Sequence, residues 1–337
     1  MPRPSGQHFL LSAKARTLSL AQVFGLTDAT AEEVFRNIRW SSTEGKPVCP
    51  HCGCPTCYDC RRPNGASRWR CKACRKDFSV TSGTLFAFHK LPLRTYLAAI
   101  AIFVNEVKGK SALALGRDLG VQYKTAFVLT HKLREAMAAE VKDTRLGGEG
   151  TITEIDGAYF GGHAKPENLK KDRKDMRRTE NQTGKRRCVV VIRERNGRSV
   201  AKSFLTEEAS NDFIRARVEQ GGVMHADESA AWNRLHARYD LRRVNHAQGY
   251  SIDGACTNQA ESWFSRLRRA EIGIHHHISG VYLDRYAQEA AFREDNRRRP
   301  NGDLFRSVLA LVSANKPSID FCGYWQRNRT VAKEAYT

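Results

Sequence analysis

Apolar residues recur along the 337-residue chain with two different periods, and the change of period divides it. Ala31, Val34, Phe35 and Ile38 repeat at helical spacing behind Asp28, which can cap a helix reaching Trp40. Leu93 to Val107 is apolar on most faces, as a buried helix should be. Ser111 to Val121 predicts a short helix and a glycine turn. Tyr123 to Met137 predicts a second helix, with Lys124, Thr125, His131, Lys132 and Arg134 among its apolar positions. Helix, glycine turn, helix is the grammar of a helix-turn-helix, whose second helix reads a DNA major groove.

After the glycine-rich boundary Leu146-Gly147-Gly148-Glu149-Gly150 the pattern becomes strand-like. Runs at Thr151–Phe160, Cys188–Arg193, Ser199–Leu205 and Val223–Ala226 predict strands, with a helix over Asn211–Gln220 before the last of them. Three strands, then a helix, a strand and more helices is the order expected of a ribonuclease-H-like α/β core, a mixed sheet flanked by helices. Phe305, Val308, Leu309 and Val312 predict one closing helix. The expected domains are therefore an N-terminal helical segment (1–45), a cysteine-rich module (46–84), a helix-turn-helix region (85–146), the α/β domain (147–300) and a C-terminal tail (301–337).

Charge narrows the class. Lys and Arg outnumber Asp and Glu by 56 to 36, a formal net charge of +20, and the excess runs along the whole chain. Such a field favours polyanions, nucleic acid ahead of an anionic membrane surface. The stretch from Lys165 to Arg187, with Lys170, Lys171, Arg173, Lys174, Arg177, Arg178, Lys185 and Arg186, reads as a solvated insertion able to touch DNA backbone. The longest apolar run, Tyr96 to Val104, is too short to span a bilayer, and the N-terminus has no signal-peptide pattern. Seven of the ten cysteines fall between Cys49 and Cys74, which points to metal binding in a reducing compartment. A cytoplasmic, nucleoid-associated protein is expected.

Cys49-Pro50-His51-Cys52 and Cys71-Lys72-Ala73-Cys74 are two-residue-spaced pairs, 18 residues apart, the spacing of a four-thiolate zinc ribbon. Cys54, Cys57 and Cys60 also form correctly spaced pairs. The outer four are favoured because their spacing leaves room for two hairpins, and the middle three read as free thiols. Arg68, Arg70 and Lys72 make phosphate contact by this module plausible.

The candidate chemistry lies in the α/β domain. Asp156 stands on a predicted strand, just ahead of Gly157 and a small aromatic turn, with Glu154 pointing the same way. Asp227 ends a second apolar run, and Glu261 lies early on a basic amphipathic helix. Two strand-borne aspartates and a helix-borne acid can converge on a pair of divalent cations, and hard oxygen ligands favour Mg²⁺ or Mn²⁺. Glu271 and Glu289 are alternative third acids; Glu154 and Glu228 read as neighbours of the site. His275-His276-His277 cannot easily face one ion, and Trp232 and Trp263 read as core.

These stretches together resemble the DDE transposases of bacterial insertion sequences, in the zinc-ribbon-bearing ISXO-like group. The resemblance rests on both cysteine pairs, Phe78–Thr84, Leu119-Gly120-Val121 with Lys124-Thr125-Ala126, Asp156–Gly162, Ala226–Ser229, Thr257-Asn258 with Glu261–Phe264, His277–Ser279, and Arg285 to Arg297. It covers about residues 30 to 300. It implies that Asp156, Asp227 and Glu261 are a metal-binding triad, that His246 and Asn258 lie close to it, a purely structural histidine being the alternative for His246, and that Arg268 stands where many relatives have a DNA-side lysine. It also implies recognition of terminal inverted repeats in double-stranded DNA, 3′-end cleavage, strand transfer into target DNA, and assembly of at least two protomers. The rival readings are a nuclease or resolvase that cuts without joining, and an inactive DNA-binding regulator.

Overall fold

The computed structural model describes residues 8–61, 67–88, 90–161, 167–175, 178, 181, 186–249, 251–252 and 254–326. The chain forms two compact units, Met1–Ala139 with Asn296–Thr337, and Glu140–Asp295.

The first unit begins with α1 (Leu20–Phe24) and α2 (Asp28–Arg39). Thr27, not Asp28, caps α2 by accepting the Thr30 N–H at 3.2 Å; Asp28 sits inside the first turn, where its charge suits the helix dipole. An antiparallel ribbon follows, made of β1 (Cys57–Asp59), β2 (Trp69–Cys71) and β3 (Asp77–Phe78). So small a ribbon has no core of its own. Trp40, at the end of α2, packs edge-on against Trp69 at 5.4 Å and Phe78 at 6.4 Å and fastens the ribbon to the helix. In α3 (Leu93–Asn105) every residue from Tyr96 to Val104 is buried. Next, α4 (Ala112–Leu119) stops at Gly120, whose φ of 64° is left-handed, and α5 (Tyr123–Val141) follows. The chain returns to this unit in α9 (Asn301–Ala314), which buries Phe305, Val308, Leu309 and Val312 and packs on α2 and α3.

The second unit is built on one sheet of β5 (Ile152–Phe160), β6 (Arg187–Glu194), β7 (Ser199–Phe204), β9 (Val223–Asp227) and β10 (Asp240–Val244), in the order β10-β9-β5-β6-β7. A short parallel pair, β4 (Leu146–Gly147) with β8 (Val218–Glu219), stands apart from it. β6 runs antiparallel to both neighbours, whereas β9 is parallel to β5 and β10 to β9. Alternation along β6 serves both faces. Val190 and Ile192 join Ile155, Met224, Trp232 and Leu235 beside α6 (Asn211–Arg217), while Val189 and Val191 join Ala158 and Phe160 beneath α7 (Asn258–Ala270) and α8 (Gly280–Asp295). α8 also covers the open edge of β7: Asp295 accepts the Ser199 N–H at 3.0 Å and Asp284 that of Ser203 at 2.9 Å. Three features depart from the expectation. The helix expected over Asn211–Gln220 ends at Arg217, and Val218–Glu219 is β8. β10 is a strand that the charged sequence Asp240-Leu241-Arg242-Arg243-Val244 does not announce. β5 reaches Phe160, as the strand expected over Thr151–Phe160 does, so the turn expected directly after Asp156 starts only at Gly161, with φ 79°.

Of the basic insertion, Lys170–Asp172 forms a single helical turn; Lys165, Arg177 and Lys185 lie outside the described residues. Among the described residues no helix is long and apolar enough to cross a membrane. Because Trp40 is buried where helix meets ribbon, Trp40→Ala should cost about 3–5 kcal/mol of stability, read by denaturant unfolding followed through tryptophan fluorescence.

Candidate functional site

Parallel pairing sets Ile155 on β5 opposite Ala226 on β9, so the next residue on each strand is an aspartate. Asp156 and Asp227 thereby stand side by side at adjacent strand positions. Strand alternation turns Asp156 to the face of Ala158 and Phe160, on which α7 packs with Glu261 as its fourth residue. Burial, then the charge of Asp227, and more weakly those of Glu261 and Glu207, push the Asp156 carboxyl up to about 7, against the pull of the Gly157 N–H at 2.7 Å. Each other acid is held by neighbours. The Trp232 indole N–H donates to Asp227 Oδ1 at 2.5 Å and the Ser229 N–H does so at 3.2 Å. Trp232 is core, as its sequence setting suggests, but its polar edge has a second use. Glu261 Oε1 accepts from Thr257 Oγ1 at 3.1 Å and lies 3.2 Å from His246 Nε2.

The remaining acids sort clearly. Glu228 is exposed and Glu154 is wholly buried. Glu289 is buried and bonded to Arg293 at 2.7 Å. Glu271 is ten residues beyond Glu261, about 15 Å along a helix axis. Glu207, which the sequence reading missed, does reach the site. Its side chain fills the space a Cβ on Gly157 would need, 2.7 Å from Glu207 Cγ, and its Oε2 accepts from Ser229 Oγ at 2.8 Å. Burial and then the Asp227 charge raise its carboxyl, although the Ser229 bond opposes this. The one available clue was Gly157 itself, a glycine inside a strand where another chain segment comes close.

Asn258 is exposed on the first turn of α7. Arg268, two turns beyond Glu261, is exposed with its guanidinium 5.4 Å from the centre of the Phe160 ring, at the end of the strand that bears Asp156. Of the three histidines, His275 packs edge-on against Tyr286, and His276 has a φ of 58°.

The second cluster is sulfur. Cys49 and Cys74 Sγ are 3.6 Å apart, as are those of Cys52 and Cys71, and all four lie within 4.8 Å of one another. A tetrahedral zinc with bonds of about 2.3 Å would space its sulfurs by about 3.8 Å, so the set fits. The two knuckles repeat one geometry. Gly53 N–H bonds Cys49 O at 2.9 Å and Arg75 N–H bonds Cys71 O at 3.0 Å, with positive φ at both Gly53 and Arg75. Around the ribbon, Arg68 and Arg70 both pair with Asp77, first Arg70 and then Arg68 holding its carboxyl down to about 2, and Lys72 lies 5.2 Å over Tyr58. On α5, Lys124 is exposed beside Trp325, whereas Lys132 is mostly buried, and that burial pulls its ammonium below the usual lysine range.

Asp156 keeps its proton to about pH 7 in the fold but only to about 3.8 when unfolded. The folded form therefore holds the extra proton between those values, and the stability Asp156 contributes falls as pH rises through that window. With zinc retained and other divalent ions absent, melting temperatures from pH 5 to 8 should decline less in Asp156→Asn than in the wild type.

Residues 145–295 match the family model described as an ISXO2-like transposase domain, and residues 26–77 match a transposase zinc-ribbon domain, which takes in α2 as well as the ribbon. A protein of Halobacterium salinarum, described as an uncharacterized protein in transposable element ISH50, is 22% identical over 296 residues, covering 84% of this chain and 96% of that one. With both domains present in this order, the chain belongs to the zinc-ribbon-bearing, ISXO2-like transposase family.

Proposed function

We propose that the protein is a DNA transposase which binds the terminal inverted repeats of an insertion sequence and carries out metal-dependent 3′-end cleavage and strand transfer. The observation that carries this reading is the register that sets Asp156 beside Asp227, with Glu261 near enough for its charge to bear on the Asp156 carboxyl, on the domain that matches the transposase family. The sheet order, three antiparallel strands flanked by a parallel pair, supports a ribonuclease-H-like fold for residues 147–300. The ribbon at 46–84 and the α4–Gly120–α5 arrangement within 85–146 support two DNA-reading modules, the second a helix-turn-helix.

Repulsion between neighbouring carboxylates is relieved by cations, so Asp156, Asp227 and Glu261 suit Mg²⁺ or Mn²⁺, with Glu207 close by. Bound there, such ions supply activation of the attacking oxygen and stabilisation of the leaving one. The chain's own groups do the rest. Trp232 and Ser229 hold Asp227 in place, and Thr257 with His246 orients Glu261. Arg268, exposed on the same helix, is suited to a strand phosphate, and Arg68, Arg70, Lys72 and Lys124 to flanking DNA; Lys132 would have to be uncovered first. No side chain is assigned as a covalent nucleophile. At least two protomers, each with one transposon end, would make the working assembly.

Labelled terminal-repeat DNA, target plasmid and Mg²⁺ test this. The wild type should give joined products, and Asp227→Asn should lose them by at least about a hundredfold. Cleavage without joining would favour a nuclease, and binding alone a regulator. Removing zinc should abolish end binding while leaving Glu140–Asp295 folded, as judged by its circular dichroism. Binding should also weaken steeply with added salt.

A further inference from the structure

The three acids stand on three different elements, Asp156 within β5, Asp227 at the end of β9 and Glu261 in the first turn of α7, and each has a buried residue one or two positions behind it. Glu154 precedes Asp156 by two residues on β5, and its side chain has no exposure. His225 precedes Asp227 by two on β9 and is likewise buried. Glu154 and His225 face each other in the β5–β9 register. Gln259 and Ala260 immediately precede Glu261 on α7.

A single guanidinium links this layer. Arg195, whose own N–H bonds Ile152 O on β5 at 2.9 Å, sends Nε to Glu154 Oε1 at 3.0 Å. Its Nη2 lies 3.2 Å from His225 Nδ1, 3.3 Å from Cys256 O and 2.7 Å from Cys256 Sγ. The other oxygen of Glu154 accepts the backbone N–H groups of Gln259 at 2.8 Å and Ala260 at 3.1 Å. Those donors belong to the first turn of α7, where Thr257 provides no side-chain cap. Glu154 therefore caps α7 from a strand, its side chain set at the positive end of the helix dipole. Both its oxygens are thus engaged, and neither is left for a metal.

We propose that Arg195 and Glu154 are positioning residues for the acidic triad, resting on the function proposed above. Their pairing locks β5, β9 and the start of α7 in one arrangement, one strand pleat behind the acids. The helix can neither slide nor turn without breaking two charge-assisted bonds, so Glu261 is fixed relative to Asp156 and Asp227. A guanidinium is required because one planar fork reaches the carboxylate with one nitrogen and the His225–Cys256 side with another; an ammonium on a lysine stem is a single point charge.

The test uses the full chain with zinc bound, and compares wild type, Asp227→Asn, Glu154→Gln and Arg195→Lys. Free Mn²⁺ is followed by electron paramagnetic resonance during titration, without DNA, on samples whose circular dichroism matches the wild type. Glu154→Gln and Arg195→Lys should each weaken Mn²⁺ binding about tenfold. In DNA cleavage the same variants should need correspondingly more Mn²⁺ and recover rate when it is supplied. A loss of folded protein alone would lower the rate at every Mn²⁺ concentration. Binding lost in Asp227→Asn but of wild-type strength in both other variants would overturn the positioning role and leave the triad standing. Binding unchanged in Asp227→Asn would overturn the triad, and the positioning role with it. If Arg195→Lys fails to fold, the near-isosteric Glu154→Gln carries the comparison; unfolding of both would overturn the proposal in favour of a general structural pin.

Discussion

Like charges must be held together in this protein, and the parallel pairing of β5 with β9 does it. That register leaves no freedom: with Ile155 opposite Ala226, Asp156 and Asp227 are neighbours, and a slip by one residue would turn them to opposite faces. The rest of Glu140–Asp295 packs around the sheet that makes this contact. The apolar residues of β6 grip both faces of the sheet, α8 closes its edge, and α7 delivers the third acid. The cost shows in the Asp156 carboxyl, raised first by burial and then by the Asp227 charge, a shift that a divalent cation would oppose.

Cysteine plays the matching part in Met1–Ala139. Four thiols gathered within 4.8 Å gain stability only with a metal between them, and the ribbon that carries them depends on Trp40 of α2 for a hydrophobic footing. In both units a small chemical cluster is placed by long-range contacts, and the surrounding +20 charge supplies attraction for a polyanion without specifying its sequence.

What the sequence made legible follows from how local each signal is. The strands at 152–160, 187–194, 199–204 and 223–227 announce themselves through runs of β-branched and apolar residues, and α3 through nine consecutive buried positions from Tyr96 to Val104. The cysteine spacing is legible for the same reason, since each knuckle is complete within four residues. β10 is not, because its Asp240, Arg242 and Arg243 mask an edge strand whose only apolar anchors are Leu241 and Val244. Glu207 sits in a polar run between β7 and α6, and only the missing side chain of Gly157 shows that it is needed near Asp156. Lys132 reads as a surface cation on a helix, yet burial near Cys322, far along the chain, changes its character. Glu154 shows the limit most plainly. Alternation places it on the face of Asp156, but only the fold reveals that its carboxylate is consumed by Arg195 and the start of α7.

Asp156, Asp227 and Glu261 are proposed to hold divalent cations together. Anomalous scattering from crystals of the zinc-loaded protein soaked in Mn²⁺ tests it most directly. Manganese peaks should be bounded by these three carboxylates, with Glu154 outside the ligand set. Manganese bound elsewhere, or ligated by Glu271 or Glu289 in place of Glu261, would contradict it.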